Sequence, residues 1–260
     1  MYYLKYLWMS VSTNVRLASA FRFAFILTIL ITIIKQFLFL ICWKYFFAKY
    51  KVVHGWSFDD MLLMYGIVCF SVGVIEVFFL GLKELPTLIE NGQLDTYLLQ
   101  PKNVILNVAL SKGDMSAFGE MITGIILMIY SGYVAKAFIM LILMLSMTLL
   151  FMFSLLLYLS CFAFFLRNSS DFIRELNLNA MIVVSQPNSA YQGAFKMFTL
   201  TLMPVAFFSF FPIEYIRTGL VQYGWLSLFG TVLFFGVACW MFQVGLSRYE
   251  SGNIIAYRNQ

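Results

Sequence analysis

The chain has 260 residues, of which 62% are hydrophobic and 11% charged, and its formal net charge is +5. Ordinary globular domains are about half apolar and about a quarter charged, so this composition excludes a water-soluble domain. It indicates an all-α integral membrane protein, because a bilayer accepts the excess apolar surface that 29 Phe and 15 Tyr contribute. The cations flank apolar runs, which disfavours nucleic acid as a partner and indicates orientation in a membrane.

The first 22 residues form an amphipathic segment. Lys5, Arg16 and Arg22 alternate there with aromatic and aliphatic side chains, and no small-residue cleavage site follows the first apolar run. Residues 1–22 are therefore expected to form an N-terminal interfacial helix on the cytoplasmic surface of the membrane, not a signal peptide.

Six apolar stretches are long enough to cross a bilayer, which takes about 20 residues in a helix. The fourth stretch is long enough for one tilted helix or two short ones, and Pro204 bends the short fifth one. The predicted spans are 23–47, 61–82, 115–134, 137–166, 195–211 and 225–246.

The distribution of lysine and arginine predicts which side each loop faces. With a cytoplasmic N-terminus, ten of these residues lie inside and five outside, so both termini are expected in the cytoplasm and the chain in the cell membrane. The inner residues are Lys5, Arg16, Arg22, Lys83, Lys102, Lys112, Arg167, Arg174, Arg248 and Arg258, and the outer ones are Lys44, Lys49, Lys51, Lys136 and Arg217.

The outer segment before the last predicted span is unusual for a solvated loop. Residues 204–223 are largely apolar, yet Pro204 and Pro212 interrupt them and Glu214 adds a charge. This pattern favours a re-entrant, broken helix that dips into the outer leaflet.

Motifs for enzymatic chemistry are absent from the sequence. No Gly-Lys-Ser/Thr occurs, so the chain has no loop for binding ATP, and we predict no catalytic residue, cofactor or metal site. The four cysteines lie far apart without companion histidines. The single histidine, His54, forms an H-x-x-x-x-D pair with Asp59, which leaves a membrane acyltransferase as a weak alternative.

The first long inner loop, residues 83–114, carries the most informative pattern. Pro86 is expected to open a short helix that runs through Glu90, and Gly92 to let the chain turn. A second inner loop, residues 167–190, faces the same side. Large polar surface is thus expected in the cytoplasm.

A second short helix is predicted after the Gly92 turn. Leu94 and Leu98 fall on one of its faces, Asp95 lies in its first turn, and the helix ends before Pro101. Two short helices joined by a turn form a compact projection from the membrane.

These residues resemble the G-x-L-D-x-x-L-L-x-P signature of type 2 ABC transporter permeases, the six-span exporters that work with a separate ATPase. The run 203–212 is similar to the proline-punctuated stretch of that family, and 245–253 to its tail after the last span. One departure is Gln100, where the family usually has arginine. The signature residues are Gly92, Leu94, Asp95, Leu98, Leu99 and Pro101.

The resemblance implies a single permease domain, residues 1–260, in which the loop 83–114 includes a coupling helix. With Glu90 and the signature residues, this helix is expected to dock on a nucleotide-binding ATPase subunit, present in two copies and holding ATP and Mg. A second permease chain, the same or related, and membrane lipid are the other expected partners. The apolar spans favour export of an amphipathic or lipid-like substrate.

Four charged residues lie within the predicted spans, where an ionisable group needs a partner or a wet cavity. Glu76 and Glu120 lie about six residues, or roughly 9 Å, from the inner ends of their spans. A cluster with Lys196 near the inner mouth is predicted as part of a gate, with snorkelling or structural ion pairing as the alternative. Lys35, near mid-span, is expected to pair across a dimer or with an anionic head group.

A secondary transporter or channel is the alternative that needs no ATPase. It would use the same six spans but would require ion-responsive charges deep in the membrane. Lys35 alone lies at that depth, so the sequence favours the ABC permease.

Overall fold

The computed structural model describes residues 9, 12, 13, 22–50, 55–184 and 210–250. All the long elements in this part of the chain are α-helices, and short 3₁₀ turns at Met115–Ala117 and Cys161–Phe164 precede or extend two of them. The helices are α1 (Arg22–Lys49), α2 (Phe58–Phe79), α3 (Gly81–Glu90), α4 (Asp95–Leu98), α5 (Val104–Ala109), α6 (Phe118–Tyr130), α7 (Val134–Ser160), α8 (Ser170–Val184), α9 (Phe210–Thr218) and α10 (Val221–Leu246).

Four helices are long and apolar enough to cross a membrane, and they coincide with the first, second, fourth and sixth predicted spans. The third predicted span corresponds to a shorter apolar segment, Met115–Tyr130. The fifth, 195–211, and the interfacial helix, 1–22, lie almost wholly outside the described residues, so the count of six stays a prediction. The four long segments are Phe23–Lys49, Phe58–Phe79, Ala137–Phe164 and Val221–Leu246.

Helices α2 and α6 pack closely along a line of glycines. A Cβ atom on Gly124 would lie 2.5 Å from the backbone nitrogen of Phe70 and 2.7 Å from the carbonyl oxygen of Gly66. Small residues let the backbones of two apolar helices approach each other, which increases van der Waals contact where lipid removes the hydrophobic driving force. The pair forms the most extensive helix contact in the described chain.

A second core joins α7, α10 and the first inner loop. The rings of Phe151 in α7 and Phe234 in α10 stack with centroids 5.0 Å apart. Leu82 and Leu85 from α3 and Leu94 from the turn after it are fully buried in the same hydrophobic cluster. The loop is therefore part of the folded core and not an appendage to it.

Helix α3 begins earlier than the sequence suggested. Pro86 was expected to open the helix, but α3 starts at Gly81 and carries Pro86 in its interior. A proline at that position lacks the N–H that would pair with the carbonyl of Leu82. Burial of Leu82 and Leu85 in the core offsets that loss.

Two helices keep wide apolar faces that the described chain leaves uncovered. Helix α1 is the most peripheral of the four long helices, since only 11% of its most apolar 18-residue stretch is buried. The outer face of α10 is similarly exposed, and both faces are suited to lipid or to another chain. The exposed side chains on these faces include Phe23, Ile26, Leu30, Ile31, Ile34, Leu38 and Tyr45 in α1 and Trp225, Phe229, Leu233 and Trp240 in α10.

The close approach of α2 and α6 predicts a sharp difference between two glycines. Gly124→Val overpacks this contact and is expected to lower the free energy of unfolding by about 2 kcal/mol. Gly236→Val is the matched control, because a Cβ on Gly236 meets nothing within 4 Å. Thermal unfolding of both variants in the same detergent measures the difference. Equal melting temperatures would contradict the packing described for α2 and α6.

Candidate functional site

The first inner loop forms a helical hairpin, α3–turn–α4. Gly92 has φ +66°, a left-handed conformation that glycine adopts at little cost. The backbone N–H groups of Gln93 and Leu94 both donate to the carbonyl of Leu88, at 2.8 and 3.2 Å, and so close the end of α3. The turn at Gly92 that the sequence predicts is therefore present.

The leucines of the hairpin divide into buried and exposed positions. Leu94 is fully buried, and Leu98 is partly buried against the same core. Leu99 is 86% exposed at the end of α4, just before Pro101. Leu94 thus anchors the hairpin within the chain, whereas the apolar side chain of Leu99 is left uncovered by the described residues.

Asp95 lies in the first turn of α4, as predicted, and faces Tyr249 beyond the end of α10. Burial and the negative charge of Asp95 raise the pKa of the Tyr249 hydroxyl to about 12. The Tyr249 ring packs edge-on against Phe164 with centroids 6.3 Å apart. The C-terminal segment therefore reaches the first inner loop.

Glu90 connects the two inner loops. Its Oε1 atom accepts a hydrogen bond of 2.8 Å from the backbone N–H of Ser170, the first residue of α8. The first N–H groups of a helix have no partner within the helix, and a carboxylate there also complements the helix dipole. Ile173, one turn further along α8, is fully buried in the core. We call the meeting place of Glu90, Asp95, Ser170 and Tyr249 the inner junction.

An open cleft of about 740 Å³ lies beside the inner junction. Its walls come from the end of α3, from residues 163–168 after α7, and from residues 248–250 after α10. The first loop, the second loop and the C-terminal segment all contribute. Sequence reasoning identified Glu90 and Asp95 but missed Ser170 and Tyr249, since only the fold brings them together.

The predicted intramembrane acids each have a cation nearby. Glu76 pairs with Lys83 at 2.6 Å, and Glu120 pairs with Lys35 at 3.5 Å. Lys196, the partner that the sequence suggested for both, lies outside the described residues. Glu76 lies within electrostatic reach of Glu120, so the two ion pairs are neighbours, and the place of Lys196 in the predicted cluster stays a prediction.

Glu120 is held in a polar group between α1, α2 and α6. Its side chain is 10% exposed, whereas that of Lys35 is 65% exposed on the outer face of α1. The Gln36 amide donates to Glu120 Oε1 at 3.2 Å and accepts a hydrogen bond from the Tyr65 hydroxyl. Lys35 therefore has a partner within its own chain, which the sequence did not reveal.

Helix α9 places part of the predicted re-entrant segment. Pro212 and Glu214 lie within α9, and Gly219, with φ +68°, separates this helix from α10. Pro204 lies outside the described residues. The break between two helices agrees with a broken helix, and its entry into the outer leaflet stays a prediction.

A polar network ties α9 to the outer ends of the other helices. Arg217 pairs with Glu214 at 3.1 Å, approaches Asp60 to 3.6 Å and donates to the carbonyl of Gly55 at 2.8 Å. The Tyr133 hydroxyl donates to the other oxygen of Asp60 at 2.6 Å. The buried Asp60 carboxylate thus joins the start of α2, the α6–α7 turn and α9.

The structure adds no support for the enzyme alternative. His54 lies outside the described residues, and Asp59 is exposed. Within the described ranges, no group of three His, Cys, Asp or Glu side chains is arranged to hold a metal ion.

Comparison with known proteins identifies the family. The sequence profile described as ABC-2 family transporter protein matches residues 30–252. Searches of curated proteins and of solved structures gave no match. The matched region contains every residue of the inner junction, three of the four long apolar helices and most of the first one, Phe23–Lys49. The chain therefore belongs to the ABC-2 transporter family and is a multi-pass membrane permease of the type 2 ABC class.

Proposed function

We propose that this chain is the permease subunit of an ABC exporter that uses ATP hydrolysed by a separate nucleotide-binding subunit. The observation that carries the proposal is the α3–α4 hairpin, whose Leu82, Leu85 and Leu94 are buried at its base and which exposes Leu99 at the end of α4, here called its tip. An exposed apolar residue on a firmly held projection is suited to a cleft in a partner protein.

The base of the hairpin is built to transmit force. Leu82, Leu85 and Leu94 share one hydrophobic cluster with residues of α7 and α10. Protein cores are close-packed and change between discrete arrangements instead of deforming continuously. A displacement of the tip would therefore move the inner ends of both spans.

Glu90 extends that connection to the second inner loop. Through its bond to the N–H of Ser170 it holds the start of α8 against the hairpin. Movement of α3 would thus carry α8 with it. The inner junction is proposed to act as one unit during the ATPase cycle.

Gln100, at which the chain departs from the family signature, makes two hydrogen bonds within the chain. Its amide nitrogen donates to the carbonyl of Thr96 at 3.1 Å, and its amide oxygen accepts from Asn107 at 3.0 Å. The side chain therefore braces α4 against α5. We propose that docking on the ATPase uses the apolar tip more than a charge at position 100.

The assembly follows from the permease assignment. We propose two ATPase subunits, which bind ATP and Mg, and a second permease chain, either identical or related, in the cell membrane. Both termini would lie in the cytoplasm. The uncovered apolar faces of α1 and α10 favour an amphipathic or lipid-like substrate that moves next to the bilayer.

The two intramembrane ion pairs are proposed to take part in an inward gate. Glu76–Lys83 lies where α2 meets the hairpin, and Glu120–Lys35 lies between α6 and α1. Motion of the hairpin would change the first pair directly. Motion of α2 against α6 would change the environment of the second.

The first prediction concerns the hairpin tip. Leu99→Asp is expected to weaken binding of the ATPase subunit by about tenfold or more, because it removes an apolar anchor. Copurification and titration of the ATPase against the permease in detergent measure this effect. Leu106→Asp is the control, since Leu106 is an exposed leucine of the same loop but lies outside the hairpin. Unchanged binding by the Leu99 variant would remove the tip from the docking surface.

The second prediction concerns Glu90. Glu90→Ala leaves the Ser170 N–H without its acceptor and should destabilise the start of α8 by about 1 kcal/mol. Hydrogen–deuterium exchange is expected to rise about fivefold in the first turn of α8 and to stay unchanged in α10. Glu84→Ala is the matched control on the same helix, because Glu84 pairs with Lys112 and not with α8. Equal exchange in both variants would contradict the proposed link.

The third prediction concerns the gate. Glu76→Gln and Glu120→Gln are each expected to lower ATP-driven transport of the lipid that copurifies with the complex, by about tenfold, at unchanged subunit composition. Glu84→Gln is the control, since its pair with Lys112 lies in the loop and is more exposed. Transport at the unmodified rate in both test variants would rule out a role for these pairs in gating.

A further inference from the structure

Two arginines line the inner cleft without a carboxylate partner. Arg167 follows α7 and Arg248 follows α10, and both form part of the cleft wall. The guanidinium of Arg248 stacks over the Phe165 ring, 5.3 Å from its centroid. Neither arginine is in an ion pair with any residue that the structure describes. Their donors are therefore available to a ligand.

The acidic residues of the cleft do not neutralise these arginines. Glu90 accepts the N–H of Ser170, and its charge is offset by the positive end of α8. Glu250 also lines the cleft, and it has a contact of its own within the chain. The arginine side of the cleft consequently remains suited to an anion.

The position of the arginines relative to the apolar helices indicates the level of lipid head groups. Arg167 comes three residues after the apolar segment Ala137–Phe164 ends, and Arg248 comes two residues after Leu246 ends α10. Phe165 and Leu166 lie between Phe164 and Arg167, and their side chains are 39% and 42% exposed. Exposed apolar side chains next to cations are typical of the boundary between hydrocarbon and head groups.

We propose that this cleft binds the phosphate of an anionic phospholipid from the inner leaflet. Arg167 and Arg248 would hold the phosphate oxygens, since guanidinium groups match phosphate geometry with paired hydrogen bonds. Phe165 and Leu166 would contact the glycerol and the start of the acyl chains. The volume of about 740 Å³ falls in the range of about 300–1,000 Å³ that small-molecule sites occupy.

The bound lipid would act on the inner junction as well as on the cleft. Tyr249, next to Arg248, lines the cleft and faces Asp95 of the hairpin. A phosphate held by Arg248 would fix the C-terminal segment against the hairpin. Anionic lipid is thus a ligand that braces the coupling hairpin, and this inference stands independently of any ATPase partner.

Binding of dioctanoyl phosphatidylglycerol to the purified full chain in detergent tests the proposal. Arg167→Gln/Arg248→Gln is expected to raise the measured Kd by about twenty-fivefold, at about a factor of five per arginine. Lys112→Gln/Arg174→Gln is the matched control, because it removes two exposed inner cations outside the cleft. Melting temperatures without lipid verify that both variants fold, and Arg167→Lys/Arg248→Lys should retain part of the binding.

Four results would overturn the proposal. One is an unchanged Kd in the arginine-to-glutamine variant. Another is an equal loss of affinity in the Lys112/Arg174 control, which would indicate that any surface cation attracts the anionic lipid. A third is binding of dioctanoylglycerol as tight as that of the phospholipid, which would show that the phosphate is not recognised. Equally tight binding of glycerol 3-phosphate would likewise count against the proposal, because it would indicate a site for a soluble anion. The fourth is that the arginine-to-glutamine variant binds lipid normally but no longer copurifies with the ATPase subunit, which would make the cleft a protein-docking surface.

Discussion

The burial of three leucines of the α3–α4 hairpin is the interaction on which the rest of the structure depends. Leu82, Leu85 and Leu94 are fully removed from solvent and pack with side chains of α7 and α10. Each buried leucine stabilises the fold by roughly 2 kcal/mol relative to an exposed one. This packing turns a polar loop between two spans into a fixed projection. Without it, neither the exposed tip nor the inner junction would have a defined position.

The two ends of the helix group are held together by different chemistry. On the inner side, single contacts such as Glu90 with Ser170 connect loops that pack through their apolar faces. On the outer side, the buried Asp60 carboxylate gathers Tyr133 and Arg217 into one network. A network that depends on a buried charge is costly to break in part, because the remaining partner loses its counterion. The Asp60 network is therefore expected to resist separation of α2, α9 and the α6–α7 turn.

The sequence revealed the features that depend on local pattern. Apolar runs located the long helices to within a few residues, and Gly92 located the turn of the hairpin. The signature around Asp95 led to the family that the profile match then showed. These features are encoded within short windows, by length, periodicity and glycine.

Contacts between distant segments could not be predicted in this way. Glu90 and Ser170 are 80 positions apart, and Lys35 and Glu120 are 85 apart, so no window contains both partners. The start of α3 was misplaced because Pro86 is a strong local signal for a helix start, and burial of the leucines before it prevailed. Tertiary packing determines these contacts and this helix start, and a single sequence does not show which distant residues pack together.

The distance between spin labels on the hairpin and on the last span tests the central claim most directly. Labels at Gln93→Cys, in the turn of the hairpin, and Trp240→Cys leave the Leu99 docking residue intact. In a chain with Cys42→Ser and Cys239→Ser, which removes the exposed and the partly exposed cysteine, they report whether the hairpin and α10 move as one body. Measured by pulsed electron paramagnetic resonance in the complex, the distance distribution should keep its mean and width between the nucleotide-free and ATP-bound states. A shifted or broadened distribution on addition of ATP would show that the hairpin moves independently of the spans, and would contradict the account.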